Sequence, residues 1–175
     1  MKVILETERL LLRELHPFDA KNFYELNLNP DVIKYTGDKV FGSVEESEYF
    51  LKNYKDYKIN GYGRWAVIEK KSDEFLGWCG LKYHNDSDEI DIGFRFFEKY
   101  WNNGFATESA KACIVYGFKN LQLESIIGRA MKENTASVKV LEKIGLEFEK
   151  EFDFENKEGV IYRIRKDEQD KSDIS

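Results

Sequence analysis

Two adjoining stretches decide the reading of this chain: Glu89-Ile90-Asp91-Ile92-Gly93-Phe94-Arg95-Phe96 and, just after it, Trp101-Asn102-Asn103-Gly104-Phe105-Ala106-Thr107-Glu108. In the first, Ile90, Ile92, Phe94 and Phe96 alternate with Glu89, Asp91, Gly93 and Arg95. A period of two sends neighbouring side chains to opposite faces, so this is a strand with one apolar and one polar face. The second stretch is a polar loop that changes the rhythm. From Ala106 onward, Ala110, Cys113, Ile114, Gly117, Phe118 and Leu121 fall on one stripe at helical spacing. The spacing predicts a helix from about Gly104 to Asn120. A strand, a small-residue loop and an amphipathic helix in succession make an α/β unit.

Working outward, residues 5–13 read as a strand. His16-Pro17-Phe18-Asp19 turns into a short helix carrying Phe23, Tyr24 and Leu26, and Asn29-Pro30-Asp31 opens a brief helical turn. Ser43-Val44-Glu45-Glu46 has capping-box form and starts a helix through Tyr49, Phe50, Leu51 and Tyr54. Gly61-Tyr62-Gly63 ends it. Strands are expected over residues 64–69 and 75–81, with a turn at 85–88. Downstream come a strand at 125–130, a helix at 133–144 stopped by Gly145, and strands at 146–148 and 160–164 around a turn at 155–159. The expected architecture is one α/β domain over residues 1–166. It has a mixed, twisted sheet of six or seven strands and about four helices on both faces, followed by a polar tail at 167–175.

Composition narrows the function. The 175 residues suit one domain, and 42% hydrophobic with 34% charged residues predicts a packed core in a charged shell. With 33 acids against 27 Lys plus Arg, the net charge of -6 argues against nucleic acid as the main partner. It favours a cationic acceptor such as an amine. Glu6, Glu8, Arg9 and Arg13 interrupt the first apolar run, so no signal peptide is read, and no stretch has the length of a membrane span. Cys79 and Cys113 are not a metal-type pair and read as core. No cluster has metal spacing. A reducing, cytoplasmic setting is expected.

The loop before the long helix carries the chemistry. A helix start offers unpaired N–H groups and a partial positive charge, an anion site that needs no lysine. Gly104 and Ala106 keep side chains away from an approaching phosphate. Neither a Walker loop nor the three-glycine dinucleotide fingerprint is present.

These residues resemble the acetyl-CoA pyrophosphate loop of the GNAT superfamily, with Trp101 standing where Gln or Arg is usual. Ile92-Gly93-Phe94-Arg95-Phe96, Tyr100-Trp101 and Thr107-Glu108 are similar to the branch containing ribosomal-protein N-terminal acetyltransferases. So are Thr7-Glu8-Arg9-Leu10, Asn29-Pro30-Asp31-Val32 and Gly77-Trp78-Cys79-Gly80-Leu81. Asn134-Thr135-Ala136-Ser137 through Gly145-Leu146 matches the family's second cofactor segment.

The resemblance implies acetyl transfer from acetyl-CoA to a primary amine by direct attack in a ternary complex. It implies that the backbone around Arg95, Phe96 and Phe97 pairs with pantetheine. Asn102, Asn103, Gly104, Phe105, Ala106 and Thr107 would hold the pyrophosphate, and Asn134 the pantetheine or acetyl end. Lys139 and Lys143 either meet a cofactor phosphate or are solvated helix charges. The cofactor would enter where parallel strands near Phe96 and Ile127 splay apart. A homodimer is common among similar proteins.

An attacking amine with an intrinsic pKa of roughly 10.4 arrives charged and gains from a general base. Glu89 and Asp91, on one strand face, are the candidates; the alternative is that both are surface acids. A backbone N–H near Phe94 to Phe96 would stabilise the oxyanion. Leu141 stands where many family members carry a Tyr acid, which leaves Ser137 as a candidate hydrogen-bond donor to the sulfur. His84 either lines the acceptor site or lies on the surface. Tyr35, Phe41 and Tyr62 are candidate acceptor contacts.

Protein N-termini, polyamines, amino-sugar antibiotics and amino acid analogues all fit an acidic rim. A hydroxyl acceptor, a longer acyl group, a non-catalytic acyl-CoA sensor and a nucleotide-phosphate binder remain as alternative readings.

Overall fold

The computed structural model describes residues 2–154 and 156–167. Most of the expected tail, and Glu155 of the expected turn, lie outside the described residues. Eight strands form one sheet: β1 (Val3–Glu6), β2 (Leu10–Glu14), β3 (Arg64–Glu69), β4 (Phe75–His84), β5 (Glu89–Phe96), β6 (Ser125–Met131), β7 (Glu147–Asp153) and β8 (Glu158–Arg165). Their order is β1-β2-β3-β4-β5-β6-β8-β7. Every neighbouring pair is antiparallel except β5 and β6, which are parallel.

The α-helices are α1 (Ala20–Leu28), α2 (Pro30–Ile33), α3 (Val44–Lys52), α4 (Asp56–Asn60), α5 (Phe105–Lys119) and α6 (Thr135–Lys143). Two apolar clusters lie on opposite faces of the sheet. One packs Cys113, Ile114 and Phe118 of α5 and Leu141 of α6 on Leu81, Ile92 and Phe96. The other packs Phe23 and Leu26 of α1 and Leu51 of α3 on Ala66, Ile68 and Phe75.

The sheet has one strand more than expected because the first predicted strand is two. Thr7 breaks it. Its backbone N–H donates to the Leu10 carbonyl at 2.9 Å, and its hydroxyl accepts from the Leu10 N–H at 3.0 Å. That double clasp reverses the chain between β1 and β2. The helix count also exceeds four, partly because the segment after Ser43 divides at Asn53. Turning α4 inward brings the Tyr57 hydroxyl to the Leu15 N–H and the Arg64 carbonyl. Tyr54 accepts from the Arg64 N–H at 2.8 Å. Two phenols thus fix the start of β3, where the first residue of the site stands. Gly61, at φ +79°, ends α4 in the left-handed conformation that glycine tolerates best.

Candidate active site

The parallel pair β5 and β6 is matched at one position only, Asp91 against Ile127. Beyond it the strands part. A cleft of ≈ 780 Å³ opens at the gap, lined on one side by Asn134, Ser137 and Leu141 and on the other by Arg64, Trp78, His84, Asp91 and Arg129.

The phase of β5 determines what faces the gap. Phe97 donates to the Leu76 carbonyl at 3.0 Å, and the register pairs Arg95 with Trp78, Gly93 with Gly80 and Asp91 with Lys82. In an antiparallel pair, alternate residues point their backbone groups at the partner strand. Arg95 and Phe97 therefore turn theirs to β4, and Phe94 and Phe96 turn theirs to the gap. The Phe96 carbonyl is taken by the Trp101 indole N–H at 2.9 Å. The Phe94 N–H faces the opening. The Arg95 side chain lies on the α1 face, bonded to Asn27 and Asp38.

The start of α5 is built from backbone. Asn102 (φ +61°) and Gly104 (φ +79°) are both left-handed, and no side chain caps the helix. The Asn103 side chain folds back on the Trp101 carbonyl at 3.0 Å. The amides of this first turn are left for an outside acceptor. The loop is braced from behind. Glu108 accepts from the Thr7 hydroxyl at 2.5 Å and from Arg9 Nε at 2.6 Å. Arg9 Nη1 donates to the Asn103 carbonyl at 3.0 Å, and its guanidinium lies 4.5 Å over the Phe105 ring. Burial would raise the Glu108 pKa, but Thr7 and Arg9 outweigh it and hold it below the ordinary range. The Thr7-Glu8-Arg9-Leu10 stretch is thus the buttress of the loop.

By contrast, α6 is capped. Asn134 Oδ1 accepts from the Ser137 N–H at 3.2 Å. That leaves the Asn134 amide NH₂ and the Ser137 hydroxyl directed at other partners. Leu141 is buried against Gly128, where an added Cβ would come within 2.4 Å of it.

The opposite wall is made of side chains from separate strands. Arg64 reaches from β3 across β4 to Asp91 on β5, Nη2 to Oδ1 at 2.6 Å. It crosses two glycines. A Cβ on Gly93 would stand 2.6 Å from the Arg64 Cζ, and one on Gly80 would strike the Gly63 carbonyl at 2.2 Å. Gly93 leaves the space in which the guanidinium lies, and Gly80 lets β4 approach the backbone at the start of β3. His84 Nε2 is 3.2 Å and Arg129 Nε 3.8 Å from Asp91 Oδ2. Burial would raise the Asp91 pKa, but Arg64, His84 and Arg129 overcome it and lower it to about 2. A carboxylate with that pKa stays ionised and accepts protons poorly near neutrality.

Glu89, the other expected acid, is gripped by both Nη atoms of Arg163 at 2.9 and 2.5 Å, outside the residues that line the cleft. Sequence reading missed Arg64 and Arg129. Gly93 is the one signal that a long side chain crosses there.

Cys79 and Cys113 are buried side by side with sulfurs 3.7 Å apart, as core residues. Among the described residues, no helix is long and apolar enough to cross a membrane.

The acetyltransferase (GNAT) domain model matches residues 9–147. An uncharacterized N-acetyltransferase, p20, of Bacillus licheniformis is 33% identical over 149 residues, covering 84% of this chain and 83% of that protein. The crystal structure of a GNAT-family acetyltransferase from Bacillus anthracis superimposes with a TM-score of 0.80 at 31% identity, covering 93% and 98% of the two chains. The ribosomal-protein-S5-alanine acetyltransferase of Vibrio fischeri shares the fold, with a TM-score of 0.79 at 18% identity over 95% and 98%. The chain belongs to the GNAT acetyltransferase family and is an N-acetyltransferase of that fold.

Proposed function

We propose that this protein transfers the acetyl group of acetyl-CoA directly to a primary amine held in the cleft between β5 and β6. The observation that carries this reading is the uncapped start of α5 opening beside the splay of the one parallel strand pair. The pocket fits the donor substrate. Left-handed Asn102 and Gly104 turn the backbone ahead of α5, and the Arg9 guanidinium lies 3.5 Å from where a Gly104 Cβ would stand. The first-turn amides through Thr107 complete an anion site.

In this reading, residues 102–107 hold the pyrophosphate. The gap-facing backbone of Phe94 and Phe96 pairs with the pantetheine arm, and the Asn134 amide donates to it. Acetyl-CoA supplies the activated thioester carbonyl. The N–H of Phe94 is placed to stabilise the oxyanion that forms when the amine attacks. The Ser137 hydroxyl is the donor nearest in kind to what the leaving sulfur needs.

Asp91 acts as a fixed anion that orients His84, whose Nε2 lies 3.2 Å from Asp91 Oδ2. His84, rather than Glu89 or Asp91, is therefore proposed to receive the amine proton.

The test is a thermal-shift titration with acetyl-CoA, CoA and ATP, followed by CoA-thiol release with a panel of amines. Binding to the native state raises the melting temperature by mass action. Stabilisation by acetyl-CoA and amine-dependent thiol release are expected. Stabilisation by ATP but by neither CoA species would overturn the reading.

A further inference from the structure

The cleft wall facing α1 and α3 has more cations than anions, although the protein as a whole carries a net charge of -6. Arg64, Lys82, Arg95 and Arg129 line it, from four strands, with His84 beside them and Asp91 as the buried carboxylate among them. Arg95 is satisfied by Asn27 and Asp38. Arg64 takes one oxygen of Asp91, and His84 lies 3.2 Å from the other.

Arg129 is left short of partners. Its Nε stands 3.8 Å from Asp91, and its Nη2 is 2.7 and 2.6 Å from the two ring nitrogens of His84. An atom equidistant from both nitrogens lies along the lone pair of neither. Among the described residues, Arg129 Nη1 has no protein partner and opens to solvent in the cleft, and the buried indole N–H of Trp78 has no acceptor. The floor of the cleft therefore holds two guanidiniums against one carboxylate, and more donors than acceptors. Asp38, Asp86 and Asp153 also line the cleft, but all three are exposed at its rim.

A half-buried guanidinium with free donors is matched by an oxyanion, which it grips with two parallel hydrogen bonds. We infer that Arg129, backed by His84 and Arg64, forms a subsite for an oxyanion on the acceptor. The acceptor is then a primary amine that also carries a carboxylate or phosphate, and not a polyamine. The inference rests on the acetyl-transfer reading, and it narrows the acceptor. The exposed rim acids remain to receive the ammonium end as it enters.

The experiment uses matched acceptors: tyrosine with tyramine, lysine with cadaverine, glucosamine 6-phosphate with glucosamine, and spermidine as polycation. Each is run with acetyl-CoA for thiol release. Each is also run with and without CoA for thermal shift. Loss of a charge-assisted hydrogen bond corresponds to about tenfold or more. The anionic member of at least one pair should lead by that factor in kcat/KM, or should stabilise the protein where its partner does not. Which pair does so distinguishes carboxylate from phosphate. The lead should fall to near unity in Arg129→Gln and survive in Arg129→Lys, whose fold is checked by circular dichroism.

A preference for tyramine, glucosamine or spermidine overturns the inference, as does an anionic lead unchanged in Arg129→Gln or the absence of any response to every anionic member. Failure of acetyl-CoA itself to bind would instead sink the acetyl-transfer reading. The arm without CoA would still report on the oxyanion subsite.

Discussion

The two ends of the cleft are made by different means. The end at α5 is backbone: two left-handed residues, a helix start without a cap, and a brace behind it in which Arg9 and Thr7 hold Glu108. The end at Asp91 is side chain: Arg64, His84 and Arg129 arrive from three strands onto one buried carboxylate. A backbone site tolerates changes of side chain at every position except those that need an unusual φ. A side-chain site depends on each member, because removing one leaves the others buried and unpaired.

Arg64→Met should therefore have the largest effect. It strips Asp91 of its closest cation while leaving the carboxylate buried, which costs about 3–5 kcal/mol in comparable pairs. Chemical denaturation should show that loss. Gly93→Ala should reproduce part of it, since the new methyl would occupy the guanidinium's place. A loss below about 1 kcal/mol in Arg64→Met would mean that the cluster is solvated and not a structural unit.

At the other end, Gly104→Glu should cost about 1–2 kcal/mol of stability and weaken acetyl-CoA binding about 100-fold, or ~2.7 kcal/mol. A side chain at φ +79° is strained, and its charge would repel the phosphates. Equal acetyl-CoA affinity, read by calorimetry, would withdraw residues 102–107 from the binding site.

This difference also explains what could be read in advance. The loop was legible because its residues are consecutive: Asn102, Gly104 and Ala106 sit between a two-residue and a 3.6-residue rhythm. The helix was expected from Gly104 and begins at Phe105. The splay was expected near Phe96 and Ile127; β5 and β6 pair at Asp91 with Ile127 and are not matched further along. The side-chain wall was not legible. Asp91 was singled out as a base, but nothing in one strand's sequence says that Arg64 and Arg129 will close on it. Glu89 looked equivalent to Asp91 by alternation, yet Arg163, from a strand on the far side of β6, claims it. The expectation of an acidic rim agrees with the exposed Asp38, Asp86 and Asp153, but net charge averages over the surface and says nothing of the cleft floor.

The pH dependence sharpens the contrast further. In the unfolded chain Asp91 titrates near the ordinary aspartate value of 3.8; in the fold its cationic neighbours hold it at about 2. A carboxylate with a depressed pKa stabilises the fold above its unfolded pKa, and the stabilisation fades as pH falls toward the folded one. Stability should drop by about 2 kcal/mol between roughly pH 5 and pH 2 on account of this group. Asp91→Asn should flatten that part of the profile. A variant with the same acid slope as wild type would show that other carboxylates carry it.

The smallest expected effect falls where the two kinds of construction meet, at Asn134. Its Oδ1 caps α6 through the Ser137 N–H, while its amide donors are the ones proposed to meet the cofactor. Aspartate preserves the capping oxygen and removes the donors; alanine removes both. Asn134→Asp should keep the melting temperature within a degree or two and weaken acetyl-CoA severalfold, since an acid now faces an amide carbonyl. Asn134→Ala should lose about 1 kcal/mol of stability from the missing cap as well. If both variants bind acetyl-CoA like wild type and only alanine is destabilised, Asn134 is a cap and nothing more. The cofactor is then held by backbone along its whole length, and the division between the two ends of the cleft becomes sharper.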